Sequence, residues 1–305
     1  MMRAALLPDR GAVKIAGDGA RNFLHGLVTT DIANLQTGEA RFCALLTPQG
    51  KIIADFIVVE APPGDGGGFF LDVARAQVAA LVEKLNLYKL RAKVMIEDLS
   101  SILGVLATWD GPAAATAAAG SAKPGGLAYV DPRLPALGAR VMLPPHLAAS
   151  AAANLGAILV EAEEYETHRI ALGVPQGGLD FDYGDAFPHE SDMDQLAGID
   201  FQKGCYVGQE VVSRMEHRGT ARTRAVRVKF DGAAPGPGTP IYAGARQLGH
   251  LGSSAAGYGI ALLRLDRVRE ALSLGQALTA GGIPVHVVKP EWARFALPGE
   301  SEAAE

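Results

Sequence analysis

The period of apolar and polar positions changes several times along the chain. Residues 51–60 are rich in Ile and Val and predict a strand, and 69–73 predict another. Residues 74–87 carry Val78, Leu81, Val82 and Leu85 at helical spacing and predict a helix. Residues 93–97 and 102–108 return to strand texture. Strand, strand, helix and strand in that order suggest an α+β layer. Residues 161–172 predict a helix whose acidic first half suits the positive end of the helix dipole, and Gly173 and Pro175 stop it. Beyond residue 224 the texture shifts. Residues 225–230 alternate Val226 and Val228 with Arg227 and Lys229, a half-buried strand. Short segments at 249–254, 257–265 and 283–288, separated by glycine turns, predict a small all-β barrel or sandwich.

The breaks between these segments are equally legible. Ala61-Pro62-Pro63-Gly64-Asp65-Gly66-Gly67-Gly68 continues neither strand nor helix and predicts a hairpin loop. Residues 111–126 are mostly alanine, with Gly and Pro at both ends, and predict an exposed loop with room for a short helix. Residues 231–238 form a third, turn-rich break. A length of 305 residues corresponds to about two domains at roughly 150 residues each.

Composition narrows the class. Hydrophobic residues at 49% and charged residues at 20% exclude a disordered chain. No apolar run reaches the roughly 18 residues that span a bilayer, and the N-terminal apolar stretch is too short for a signal-peptide core, so a cytoplasmic protein is expected. A net charge of −5 argues against a dedicated duplex-DNA binder. Cys43 and Cys205 are the only two cysteines, too few for a four-thiolate zinc site or for holding an iron–sulfur cluster alone. No phosphate-binding loop and no His-Glu-x-x-His pattern occur, and no resident metal site is expected.

The most informative stretch is Lys203-Gly204-Cys205-Tyr206-Val207-Gly208-Gln209-Glu210. Glycines permit close approach of a ligand or a positive φ. A nearby lysine favours thiolate, and the amide and carboxylate that follow can read the edge of a heterocycle. The alternative is a buried cysteine in a turn before a helix. From Lys203 to Lys229 seven Lys or Arg face only Glu210 and Glu216, a basic patch for an anion or nucleic acid, or else a charged strand edge. Upstream, residues 179–194 hold six acids and no Lys or Arg, consistent with a solvated loop or with a grip on a cation or on a pterin edge. His25, alone among apolar residues, suggests packing, and His168 a helix surface.

These residues resemble a known family. Lys203–Glu210 is similar to the K-G-C-Y-x-G-Q-E signature of the YgfZ family of folate-binding proteins at all seven fixed positions. Phe23-Leu24-His25-Gly26-Leu27-Val28-Thr29-Thr30-Asp31-Ile32 resembles its F-L-x-G-x-x-T-x-D-I opening. Arg169-Ile170-Ala171-Leu172-Gly173-Val174-Pro175, Pro188-His189-Glu190 and Gly249-His250-Leu251-Gly252-Ser253 resemble its middle and C-terminal segments, so the likeness spans roughly residues 10–290. The wider superfamily includes the aminomethyltransferase (T-protein) of glycine cleavage. That enzyme's Gly-Gly-x-x-Asp-Asp stretch is only partly kept in Gly50-Lys51-Ile52-Ile53-Ala54-Asp55, and its T-G-E-D-G motif has no acidic counterpart in Leu134-Pro135-Ala136-Leu137-Gly138-Ala139-Arg140.

The resemblance implies an α+β, three-lobed architecture with a central folate pocket and a small C-terminal β-barrel. The expected division is 1–224 as a folate-binding region of two lobes, the second about 51–145 inserted in the first, then a barrel at 225–295 and a flexible tail at 296–305. The implied function is a tetrahydrofolate-binding accessory protein for assembly or repair of iron–sulfur enzymes, including those that modify tRNA. The resemblance makes Cys205 the expected reactive thiol and Lys203 the residue expected to tune it. Tyr206, Gly208, Gln209, Glu210, Arg214 and Arg218 are the implied cofactor-binding residues, with Arg222 and Arg224 as further partners for the folate glutamate. The expected partners are folate and iron–sulfur enzymes or assembly proteins, with no membrane and no direct nucleic-acid contact. The alternative is a tetrahydrofolate-dependent aminomethyltransferase or demethylase using Asp55 or an acid of 179–194. A third reading is a nucleic-acid module on residues 214–229.

Overall fold

A computed structural model describes residues 1–112, 126–219 and 221–297. The alanine-rich segment and the C-terminal tail therefore fall largely outside the described residues. The chain divides into two compact units, residues 1–165 with 196–209, and residues 166–195 with 210–305.

The first unit is built on two five-stranded sheets. One sheet has the order β10-β1-β7-β9-β8: β1 (Arg3–Leu7) runs parallel to β10 (Ile158–Leu159) and antiparallel to β7 (Gly104–Trp109), followed by β9 (Ala139–Leu143) and β8 (Leu127–Val130). Helix α3 (Ala148–Leu155) covers it, burying Ala148 and Ala152 with Ala4, Leu106, Ala128, Val141 and Leu143. The other sheet has the order β3-β4-β5-β2-β6, with β3 (Ala40–Leu46), β4 (Ile52–Glu60), β5 (Phe69–Ala74), β2 (Arg10–Ala16) and β6 (Met95–Asp98). All its pairings are antiparallel. Helix α1 (Ala20–His25) contributes Ala20 and Leu24 to its core. Helix α2 (Val78–Lys89) contributes Val78, Leu81 and Leu85.

The expected strand at 51–60 and the hairpin break after it are both present, the break enclosing a short 3-10 turn at Pro63–Asp65. The expected helix at 74–87 begins later, because residues Arg75–Gln77 form a 3-10 turn first. Strands β1, β2 and β3 carry few alternations and drew no sequence expectation. Apolar neighbours bury both faces of β2 and β3, which erases the period-two signal.

A buried charge network joins the two sheets of this unit. Asp72 on β5 accepts from Arg10 on β2 at 2.6 Å, from Arg140 on β9 at 2.6 Å and from the Tyr129 hydroxyl on β8 at 2.9 Å. Arg140 also donates to Asp131 at 3.0 Å, and Arg133 donates to the same carboxylate. Burial alone would raise the Asp72 pKa, but Arg10 and Arg140 hold it below the usual carboxylate range.

The second unit contains a closed six-stranded barrel in the order β11-β14-β13-β12-β15-β16. Its strands are β11 (Thr223–Phe230), β12 (Pro240–Ala243), β13 (Arg246–Ala255), β14 (Tyr258–Arg264), β15 (Leu278–Ala280) and β16 (Ile283–Val287), and β16 closes on β11. The barrel expected beyond residue 224 is thus present. Closure removes the free edges that its short strands would otherwise expose. Helices α4 (Ala162–Leu172), α5 (Gln209–Arg218) and α6 (Leu265–Ser273) complete the described helices. Among the described residues no helix is long and apolar enough to cross a membrane.

The acidic run 179–194 is only partly a solvated loop: Asp182 and Asp185 are exposed, whereas Asp180 and Asp192 are buried. Asp180, only 1% exposed, receives Arg169 at 2.8 Å and the Ser253 hydroxyl at 2.7 Å. Asp192 and Asp194 share Arg224, at 2.9 Å and 2.8 Å. Arg224 of the basic stretch is therefore the partner of Asp192 and Asp194, and Arg169 that of Asp180, which a sequence reading of the acidic run alone does not reveal.

Candidate functional site

The signature loop is held by a short threonine-rich segment that follows α1. The Thr29 hydroxyl donates to the Gly198 carbonyl at 2.6 Å and accepts from the Ala44 N–H at 2.9 Å. The Asp200 N–H donates to the Thr29 carbonyl at 3.0 Å. The Thr30 hydroxyl donates to the Phe42 carbonyl at 2.7 Å. Asp200 then turns the chain, its carboxylate accepting the N–H groups of Gln202 and Lys203 at 2.8 and 3.2 Å. Such local side-chain bonds are why aspartate favours turns.

Lys203 points inward. Its ammonium donates to the carbonyls of His25 at 2.6 Å, Val28 at 2.7 Å and Thr30 at 3.1 Å. An ammonium has three donors, and all three are used. Burial lowers the Lys203 pKa, against the opposing pull of Cys43, Asp31 and Asp200. The same ammonium lies 5.4 Å from the centre of the Tyr206 ring, which is itself buried. Burial, with help from Asp200, pushes the Tyr206 hydroxyl up to about 12.

Gly208 locks the other side of the loop. It has φ +83°, and a Cβ there would lie 2.6 Å from the Thr47 carbonyl oxygen. Only glycine fits both the conformation and the space. Helix α5 then begins at Gln209.

Cys205 sits between these two anchors and is exposed, a free thiol. The alternative of a buried cysteine is therefore excluded, although the turn before a helix is present. The other thiol, Cys43, is fully buried and lies near the Phe56 carbonyl. Burial raises its pKa strongly, partly opposed by Thr30 and Lys203, so it stays protonated and shielded.

The remaining expected site residues are dispersed along the start of α5. Glu210 and Arg214 form an exposed i,i+4 pair at 3.0 Å, with side chains 88% and 54% exposed. The side chain of Arg218 lies outside the described residues. Arg224 is committed to Asp192 and Asp194, and Arg227 donates to the carbonyls of Ala171 and Lys289, so neither is a free stripe for phosphate or glutamate. In the second unit His189, Asp194 and Glu216 bring ligand-type atoms within 4.8 Å of one another. The guanidinium of Arg224 already holds both Asp194 oxygens, which makes this an ion-pair cluster. A cavity of about 360 Å³ lies beside it, lined by His189, Glu216, Arg222, Arg224, Arg269 and Phe295 among others.

Sequence reasoning missed Thr29, Thr30 and Asp200, which anchor the loop. It also placed Lys203 beside the thiol. Among the described residues no hydrogen bond joins Lys203 to Cys205; the ammonium serves the carbonyls behind the loop.

The chain matches the GCVT N-terminal domain over residues 9–123 and the CAF17 C-terminal beta-barrel domain over residues 222–295. It is 33% identical over 252 residues to the iron–sulfur cluster assembly factor IBA57 homolog, mitochondrial, of Mycosarcoma maydis, covering 79% of this chain and 60% of that one. The Pyricularia oryzae homolog of the same name is 30% identical over 299 residues, 90% of this chain and 75% of its own. The human IBA57 is 28% identical over 303 residues, 94% and 84% respectively. The chain spans only 60% and 58% of the length of the Mycosarcoma maydis and Neurospora crassa relatives. Among solved structures, the glycine cleavage aminomethyltransferase of Bartonella henselae has the same fold, with a TM-score of 0.76, 16% identity, and coverage of 97% of this chain and 87% of that one. The resemblance to YgfZ holds at the level of this superfamily and not of that branch. With two domain matches in order and relatives aligned over most of its length, the chain belongs to the family of the iron–sulfur cluster assembly factor IBA57.

Proposed function

We propose that this chain serves the assembly or repair of iron–sulfur enzymes, those that modify tRNA among them, and that Cys205 is its point of contact with the cluster or the client. The observation that carries this reading is an exposed thiol on a loop fastened from both sides, by Lys203 and by Gly208. A thiolate is a soft ligand suited to iron. One thiol lends a single ligand, so the remaining ligands come from the client or a partner, and the cluster is cargo. A fastened loop presents that ligand without first losing the conformational freedom of a mobile one.

Tetrahydrofolate is the ligand suggested by the superfamily. Several of the residues expected to grip it have protein contacts of their own. Tyr206 is buried with its ring 5.4 Å from the Lys203 ammonium, Gly208 is pressed on Thr47, and Glu210 pairs with Arg214. Calorimetry of the full chain with tetrahydrofolate decides that half, and an absence of heat removes it.

The thiol is tested by replacing Cys205 with Ser in cells that depend on this chain. The expected outcome is loss of activity of iron–sulfur enzymes at unchanged levels of the folded variant. Full activity with Cys205→Ser sinks the reading. Thiol labelling of the native wild type should modify Cys205 quickly and Cys43 only after unfolding.

A further inference from the structure

We propose that the C-terminal end of α2 together with strand β6 is a docking surface for an acidic, leucine-bearing segment of a partner protein. Three observations converge there. The first is apolar exposure: Leu87 is 63% exposed, Leu90 89% and Met95 56%. Leu87 and Leu90 are three residues apart at the helix end, and Met95 opens β6, which packs beside α2. Leu90 is also held at φ +43°, a conformation that leucine adopts at a cost. A large apolar side chain kept both strained and in water is poorly explained by folding alone.

The second observation is charge. Lys84, Lys89, Arg91 and Lys93 fall in the same stretch, opposed there only by Glu83, in a chain of net charge −5. None of the four forms an ion pair among the described residues. Lys84 instead lies 5.6 Å from the centre of the Tyr88 ring. Cations left without counterions around exposed leucines complement a segment that carries carboxylates and apolar side chains together.

The third observation is an open edge. Strand β6 ends its sheet and, among the described residues, pairs only with β2. Its other edge offers backbone groups to which an extended segment can add. This favours a protein over an anionic bilayer. The exposed Glu97 and Asp98 lie at the far end of β6. A charged plane is repelled by them, whereas a segment acidic opposite the lysines can stop short of them.

The surface does not involve Cys205, so it stands or falls apart from the proposed function. The test uses the full chain and a fluorescein-labelled peptide of alternating glutamate and leucine, followed by fluorescence anisotropy. The wild type and Cys205→Ser should bind it alike, and binding should weaken as salt screens the charges. Lys89→Glu with Arg91→Glu should weaken binding about tenfold or more, as expected for losing complementary charge on both sides of Leu90. Leu90→Gly should also lose binding. Glycine accepts the φ found there, so this variant keeps its thermal melting temperature and separates recognition from folding. Equal binding by the charge-reversed variant, or equal binding of a lysine–leucine peptide, overturns the proposal. Co-sedimentation with phosphatidylserine vesicles that the charge reversal abolishes assigns the surface to a membrane and overturns it as well.

Discussion

Lys203 illustrates how a residue's role depends on direction as much as on identity. Two positions from a cysteine, it invites a reading as the thiol's charge partner. In the fold its ammonium is surrounded by the carbonyls of His25, Val28 and Thr30. Lys203→Met preserves the stem and removes all three bonds, leaving the carbonyls without a donor. Buried groups stripped of a partner cost about 1–3 kcal/mol each, and partial rehydration caps the sum, so a loss of about 3 kcal/mol in urea unfolding is expected. Lys203→Arg should not rescue it, because a planar guanidinium does not converge on three carbonyls as an ammonium does. A Lys203→Met protein as stable as wild type would refute the anchoring role.

At the scale of the element, the loop before α5 is positioned by backbone more than by side chains. Gly208 joins a left-handed conformation to a contact that admits no Cβ. Gly208→Ala should therefore destabilise by about 2 kcal/mol or more, beyond the roughly 1 kcal/mol left-handed penalty, because the Thr47 carbonyl must also move. The measurement is chemical denaturation together with the rate of Cys205 labelling, which should rise as the loop loosens. The glycine was visible in the signature; the reason for it was not, since Thr47 lies on the turn between β3 and β4, far away in the chain. Helix α2 and strand β4 were legible because each shows its own period or a run of β-branched residues. The acidic run was misread for the same reason that Gly208 was unexplained. Asp180, Asp192 and Asp194 acquire their meaning from Arg169 and Arg224, partners that only the fold brings near.

At the scale of the whole molecule, each unit is tied by buried charge, and in the first unit that tie is pH-sensitive. Asp72 is a carboxylate whose folded pKa is depressed by Arg10 and Arg140 against the opposing effect of burial. Its contribution is fully present above the ordinary aspartate value of about 3.9 and is lost as pH falls through the lower folded value. Wild type should therefore lose stability on acidification below about pH 4. Asp72→Asn should start about 3 kcal/mol lower at neutral pH, since it leaves two buried guanidinium groups short of a partner, and should lose less on acidification. Urea titrations of both proteins across that range measure the difference. Parallel acid profiles would show that Asp72 does not govern the slope.

Taken alone, the order of residues determined the α+β class, the all-β character of the C-terminal region, the strands and helices with a clear period, and the motif around Cys205. These features are local: they follow from the period of apolar residues, from turn-forming glycines and prolines, and from a short contiguous pattern. Only the tertiary structure decided that the Cys205 thiol is exposed while Cys43 is sealed, that Lys203 faces inward, and that acids and bases distant in the chain neutralise one another. Burial and pairing are properties of the space around a group. That space is assembled from segments whose separation along the chain says nothing about their distance in the fold.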